Sequence, residues 1–150
     1  MQSPDSKISP AIVKAVLLLA RRLRSERPEG AAPLSLLSLL GTLHRLGEMP
    51  ATRLAAEERL QPQSLTRMIG ILEEKDWIAR RRSDADRREI LIAITPEGKR
   101  VLSRDIEARR VWLEGAMEET LDERQRAVLM EAAGIMLKLA GSDHGRVDEG

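Results

Sequence analysis

Only three residues, Arg59-Leu60-Gln61, separate two stretches with helical character, residues 51–58 and 62–75. So short a link leaves no room for a wandering loop and joins the two helices in a tight turn. Pro62 supports the boundary, because the first helical position needs no backbone donor and proline presets its φ. On a wheel of about 100° per residue, Leu65, Met68, Ile69 and Leu72 form the buried face of the second helix. Gln63, Arg67, Gly70 and Glu74 point the other way, with Ser64 and Thr66 on the flanks.

The flanking sequence extends the pattern. Residues 80–95 read RRRSDADRREILIAIT, two arginine clusters around a turn-forming acidic segment, followed by a period-2 run that puts Ile90, Ile92 and Ile94 on one face. This is a β-hairpin directly after the helix pair. Upstream, LSLLSLLGTLHRL (residues 34–46) is apolar over most of its circumference and is expected to be buried centrally, ending at Gly47. Ile8, Ile12, Val16, Leu19 and Leu23 mark an N-terminal helix; Arg21, Arg22, Arg24 and Arg27 crowd its end, where they suit the helix dipole. Thr95-Pro96 is a helix start for a run to about Thr120, with Leu102, Ile106, Leu113 and Met117 on one stripe. Asp122 with Gln125 three residues on is a capping-box start for a last helix carrying Val128, Leu129, Ala132, Ile135, Met136 and Leu139. The fold is therefore mainly α: a winged helix-turn-helix lobe with a small hairpin wing, flanked by long helices at both ends.

Composition excludes several functions. With two Trp and no Phe or Tyr, the core must be Leu, Ile, Val, Ala and Met. With no cysteine, disulfides, thiolate metal sites, cysteine nucleophiles and thiol redox sensing are all ruled out. No apolar run approaches membrane-spanning length, and Lys14 and the following Arg pair make residues 11–20 an amphipathic helix rather than a leader. His44 and His144 are the only histidines, too few for a histidine metal site, and no phosphate-binding glycine loop is present. The pairs Glu57-Glu58, Glu73-Glu74 and Glu118-Glu119 diverge by about 100° on helices, which makes them solvated faces rather than paired catalytic acids. No cofactor, metal or catalytic activity is expected. The net charge is only +1, so any nucleic-acid binding must come from local clustering. The outward face of residues 62–75 supplies it with amides, hydroxyls and one arginine, groups that reach base edges and phosphates in a major groove. An ordinary solvated helix face offers the same groups, but a short helix before it and a basic hairpin after it favour the nucleic-acid reading.

Three segments, LSLLGTLHRLG, RLAAEERLQPQSLTRMIGILEEKDWIAR and DRREILIAITPEGKRVL, resemble the MarR (multiple antibiotic resistance regulator) family of bacterial transcription regulators. The most specific elements are Asp86-Arg87-Arg88 before the alternating strand, Thr95-Pro96-x-Gly98, and Ser64-x-Thr66-Arg67. The resemblance runs from about Leu36 to Leu102, while the flanking helices match by pattern alone.

The resemblance implies a cytoplasmic, obligate homodimer that binds double-stranded DNA at a pseudo-palindromic operator, usually as a repressor, and is often released by a small phenolic or anionic effector. It divides the chain into an N-terminal dimerisation helix (1–33), a DNA-binding lobe (34–98), C-terminal dimerisation helices (99–140) and a disordered tail (141–150). Gln61, Gln63, Ser64, Thr66 and Arg67 would read the major groove. The wing tip would enter the narrow, electronegative minor groove, which attracts arginine. By position in the motif Arg88 is the inserted side chain, Asp86 orients it through a charge-assisted pair, and Arg87, Arg82 and Arg81 contact phosphates. A solvated strand edge is the plainer account of residues 80–82, and a simple turn role that of Asp86. His44, with Arg45 and Trp112 as neighbours, would bind the effector; a boundary histidine satisfied by a carbonyl is the alternative. The chain departs from the family pattern at Pro50, where a capping threonine is frequent, at Glu58, where an apolar residue is common, and at Arg59, where a turn glycine is frequent. A winged-helix protein-interaction module without specific DNA binding is the rival function.

Overall fold

Local chemistry sets most helix boundaries. The structure, a computed structural model, describes residues 5–142. Its elements run α1 (Asp5–Ser25), α2 (Leu34–Leu46), β1 (Met49–Pro50), α3 (Ala51–Glu58), α4 (Pro62–Glu74), β2 (Ile78–Arg82), β3 (Ile90–Ile94), α5 (Pro96–Thr120) and α6 (Glu123–Ala140). Gly47 closes α2 at φ 84°, a left-handed conformation that a side chain would strain. Thr95 caps α5 as expected, its Oγ1 accepting from Gly98 N at 3.1 Å. Asp122 and Gln125 complete the capping box at α6, each side chain accepting from the other's backbone N–H.

The chain divides into two compact units, Met1–Arg110 and Val111–Gly150. In the first, the sheet has the order β1-β3-β2, all antiparallel. Its two-residue strand β1 was not foreseen in the sequence, since so short a strand has no periodicity to read. Met49 pairs with Ile92 and Pro50 with Leu91; at the sheet edge proline's missing N–H costs no ladder bond. The core gathers Leu39, Leu40 and Leu43 of α2, Met49, Leu54 of α3, Ile69 and Leu72 of α4, and Ile92 of β3, all below 2 % exposed. Each such side chain contributes on the order of 1.5–3 kcal/mol by leaving water.

One burial expectation, for Met68, is corrected, and the apolar stripes are buried unevenly. The inner face of α4 is Leu65, Ile69 and Leu72, with Met68 only half-buried. Helix α2 is central, but Leu34 and Leu46 at its ends are exposed. Ile92 is buried and Ile90 is not, because β3 runs out of the lobe into the wing. Ile106 on α5 is exposed while Leu102, one turn earlier, is buried. Helix α1 buries none of its residues.

A polar joint in the first unit was missed from sequence. The Asp105 side chain of α5, in a residue only 3 % exposed, accepts from Arg27 Nε at 2.6 Å and is also paired with Arg109 Nη2. Arg27 lies beyond the end of α1 and donates to the Ala32 carbonyl as well, so it anchors the α1–α2 loop rather than serving the dipole of α1. A second joint is Glu58, whose carboxylate accepts from Ser38 Oγ at 2.6 Å and from Thr42 Oγ1, tying α3 to α2. That gives a role to an acid at a position where the family pattern commonly has an apolar residue.

The second unit holds the remainder of α5 and α6, whose residues are exposed or half-buried. Of the tail, Gly141 and Ser142 finish α6 with hydrogen bonds to Leu137 O and Leu139 O. Residues 143–150, with His144, lie outside the described residues, as do residues 1–4.

Candidate nucleic-acid interface

The turn between α3 and α4 has the tightness that three linking residues dictate. Arg59 occupies the left-handed region at φ 52°, ψ 42°, and Arg59 N and Leu60 N bond back to Ala56 O and Ala55 O. The glycine-like position is therefore real and is filled by a residue that pays about 1 kcal/mol for it. Gln61 stays extended and Pro62 takes the first helical position. Helix α3 starts at Pro50 with no side-chain cap, as the missing threonine implied.

Gln61, Gln63, Ser64, Thr66 and Arg67 are all exposed on the first two turns of α4. The Thr66 hydroxyl donates to Pro62 O at 2.8 Å, which leaves its oxygen to accept. A Cβ added at Gly70 would meet nothing within 4 Å, so the outer surface of α4 is open there. Among the described residues the Arg67 guanidinium has no hydrogen-bond or ion-pair partner.

The wing is a closed hydrogen-bonded loop. Strands β2 and β3 pair from Ile78↔Ile94 to Arg82↔Ile90. Beyond them Ser83 N donates to Glu89 O at 2.9 Å and Glu89 N to Asp86 O at 2.9 Å. Ser83 is buried, and its Oγ accepts from Asp86 N at 3.3 Å. Asp86 Oδ1 accepts from the backbone N–H of Arg88 at 3.0 Å. The expected charge-assisted pair with the Arg88 guanidinium is not formed; Asp86 shapes the turn instead.

The five wing arginines are not equivalent. Arg80 Nε donates to Glu73 Oε1 of α4 at 2.5 Å. Arg81 makes a two-pronged pair with Glu48. Arg82 Nη1 donates to Arg87 O at 3.1 Å. Of these five, only the guanidinium groups of Arg87 and Arg88 lack a hydrogen-bond or ion-pair partner among the described residues. Sequence reasoning placed the arginines but missed Glu48, Glu73 and Ser83, because partners 33 and 7 residues away leave no local pattern.

The three residues expected to hold an effector are not gathered within one unit. His44 and Arg45 are exposed in the last turn of α2, in the first unit. His44 lines a cleft of about 300 Å³ with Leu43, Glu48, Ile94 and Lys99; Arg45 is not among its lining residues. Trp112 is half-buried in the second unit. A second cleft of the first unit, about 240 Å³, is lined by Ala32, Leu37, Trp77, Val101, Arg104 and Asp105. Lys75 Nζ sits 5.1 Å from the centre of the Trp77 ring. Among the described residues no helix is long and apolar enough to cross a membrane.

The comparisons with known proteins agree with this geometry. The MarR family profile matches residues 33–90. An HTH-type transcriptional regulator of Mycobacterium tuberculosis is 33 % identical over 139 residues, covering 93 % of this chain and 96 % of the relative. The crystal structure of a Pseudomonas aeruginosa protein assigned as a transcriptional regulator superposes with a TM-score of 0.81 at 32 % identity, over 95 % of this chain and all of the other. A Streptomyces coelicolor MarR family transcriptional regulator, solved in complex with DNA, shares the fold at TM-score 0.61 and 21 % identity, over 99 % of this chain and 95 % of the other. With its tight helix pair, three-stranded sheet with a hairpin wing, and exposed polar helix face, the chain belongs to the MarR family: it is a transcriptional regulator with a DNA-binding winged helix.

Proposed function

We infer that the chain is a cytoplasmic, non-enzymatic homodimeric repressor of a pseudo-palindromic operator. Helix α4 reads the major groove through Gln61, Gln63, Ser64, Thr66 and Arg67, and the wing tip enters the minor groove with Arg88, flanked by Arg87 and the exposed Arg82. The observation that carries this reading is the partition of the arginines. Those at the wing tip and on α4 have no protein partner among the described residues, whereas those at the wing base are engaged. Unengaged guanidinium groups on a helix and a hydrogen-bonded turn are available to an external anion without first breaking an internal ion pair.

Dimerisation through residues 1–33 and 99–140 is supported by apolar surface that the protomer leaves in water. Ile8, Ile12, Val16 and Leu19 on α1 are exposed, as are Val128, Ile135 and Leu139 on α6. Contiguous apolar faces of this kind are unusual on a monomer. Relief of repression by a small phenolic or anionic molecule completes the reading. The cleft at His44 is one seat for it; the cleft at Trp77 is the alternative, favoured by its aromatic wall and the Arg104 side chain.

The test is fluorescence anisotropy on the duplex upstream of the protein's own gene beside a scrambled duplex. Three unengaged arginines per protomer give about six phosphate or groove contacts per dimer. The salt slope is then near −5, and affinity falls roughly a thousandfold between 50 and 200 mM salt. Arg88→Ala is expected to cost about 1–3 kcal/mol per half-site. Equal, weak, salt-insensitive binding to both duplexes would sink the operator reading and favour the protein-interaction rival.

A further inference from the structure

Arg81 is the wing arginine whose surroundings differ most from those of a free cation. Its Nε donates to Glu48 Oε2 at 2.5 Å and its Nη2 to Glu48 Oε1. Its Nη1 donates to the Arg82 carbonyl at 3.1 Å and lies 3.6 Å from Asp84 Oδ2. The planar fork is thus occupied on every nitrogen, with both carboxylate oxygens matched to it, the geometry that gives arginine pairs their directionality. That hydrogen bond with Arg81 holds the Glu48 carboxyl below the usual carboxylate range, so the pair is ionised throughout the neutral region.

Topology says what the pair connects. Glu48 sits between Gly47, which terminates α2, and Met49, which is fully buried and paired with Ile92. Its backbone is therefore fixed on the core of the lobe. Arg81 is on β2, opposite Leu91 of β3, and Leu91 is opposite Pro50 of β1. The pair reaches from the β1 side of the sheet across the central strand to β2, about two strand spacings or roughly 10 Å. Past Arg82 the wing has no further strand partner and depends on its own turn bonds. The contact is thus placed one residue before the hairpin leaves the sheet.

We propose that Glu48 and Arg81 form a strap that fixes the wing on the lobe, so that Arg81 is a positioning residue for the Arg87–Arg88 tip and not a phosphate contact. This rests on the DNA-binding reading of the wing, and it replaces the phosphate role that the motif position assigned to Arg81. A guanidinium already neutralised by Glu48 adds little to the attraction of the duplex, and few counterions would be released through it.

The strap and the phosphate contact predict opposite signs at Glu48. Duplex binding would be measured by anisotropy across a salt series with the full chain as wild type, Arg88→Ala, Arg81→Ala, Glu48→Gln and the Glu48→Gln, Arg81→Ala double variant, after circular dichroism shows that each is folded. The strap predicts that both single variants weaken binding alike, roughly fivefold to tenfold for two straps per dimer. It also predicts that the double variant is no worse than either single one and that the salt slope keeps its wild-type value. A slope lowered by about one per subunit in Arg81→Ala, tighter binding by Glu48→Gln, or wild-type affinity in both overturns the proposal. A second readout needs no DNA: backbone ¹⁵N order parameters at residues 84–88 of the free protein should fall in Glu48→Gln, and unchanged values overturn the strap. If wild type shows no preference for the operator duplex, the DNA reading fails alone, and the order parameters still decide the strap.

Discussion

Gly98→Ala should destabilise the protein although alanine is the better helix former. Gly98 lies in the first turn of α5 and is buried. A Cβ there would sit 2.9 Å from Ile94 Cγ1 and 3.0 Å from the Trp77 carbonyl carbon, and closer still to the carbonyl oxygen. That oxygen cannot swing away, because it accepts from Thr95 N at 3.0 Å. Thr95 in turn is held by its Oγ1 donating to Asp76 O at 2.5 Å and accepting from Gly98 N. Relief therefore requires moving the start of α5 off the sheet. Overpacking against backbone is placed at the upper end of about 1–3 kcal/mol, and a weakened hydrogen bond adds about 1 kcal/mol. Alanine's propensity gain offsets about 1 kcal/mol, which leaves a net loss of about 2–3 kcal/mol. Gly70→Ala is the internal control: a Cβ there meets nothing within 4 Å, so the propensity gain of about 0.5–1 kcal/mol stands unopposed. Urea unfolding followed by far-ultraviolet circular dichroism, at one protein concentration for all variants, measures both. If Gly98→Ala proves as stable as wild type, the close approach to Trp77 is not what demands glycine in Thr95-Pro96-x-Gly98.

Three further outcomes follow from the same contacts. Arg59→Gly should raise stability by roughly 0.5 kcal/mol, the relief of a left-handed side-chain residue less glycine's extra unfolded entropy; a loss in the same urea experiment refutes the strain. Asp105→Ala leaves Arg27 and Arg109 facing each other without their shared carboxylate, and should cost about 2–3 kcal/mol, below the range for fully buried pairs because both arginines keep some exposure. A thermal unfolding midpoint within 1 °C of wild type would contradict that. For Glu48, the folded-state value is depressed by Arg81, so the pair's contribution is present above the ordinary carboxylate value of 4.5 and lost as pH falls through the lowered folded value. A carboxyl ¹³C titration should find the Glu48 midpoint below the ordinary value in wild type and back at it in Arg81→Ala; an identical midpoint in both removes the pairing as its cause.

Helix termini were legible in the residues because capping is local. Gly47, Pro62, Thr95-Pro96 and the Asp122–Gln125 box act over at most four positions, and each ends or starts its helix where the sequence marks it. The inner face of α4 was nearly legible, since a 3.6-residue period needs only neighbouring turns; Met68 packs against the core but stays half-buried. The strained turn at Arg59 could be anticipated from the three-residue link and the family pattern together. Arginine positions in the wing were equally plain, yet their roles were not. Whether a guanidinium is free depends on Glu48, Glu73 and Arg87 O, and the carboxylates reach it only through strand order and helix packing. The same holds for Asp105, whose partner Arg27 is 78 residues distant. Strand β1, too short for a pattern, exists because β3 offers it an edge. Short-range hydrogen bonding and periodicity thus specify elements and their ends, whereas the ionic partners that divide one arginine cluster into supports and free cations exist only once the chain is folded.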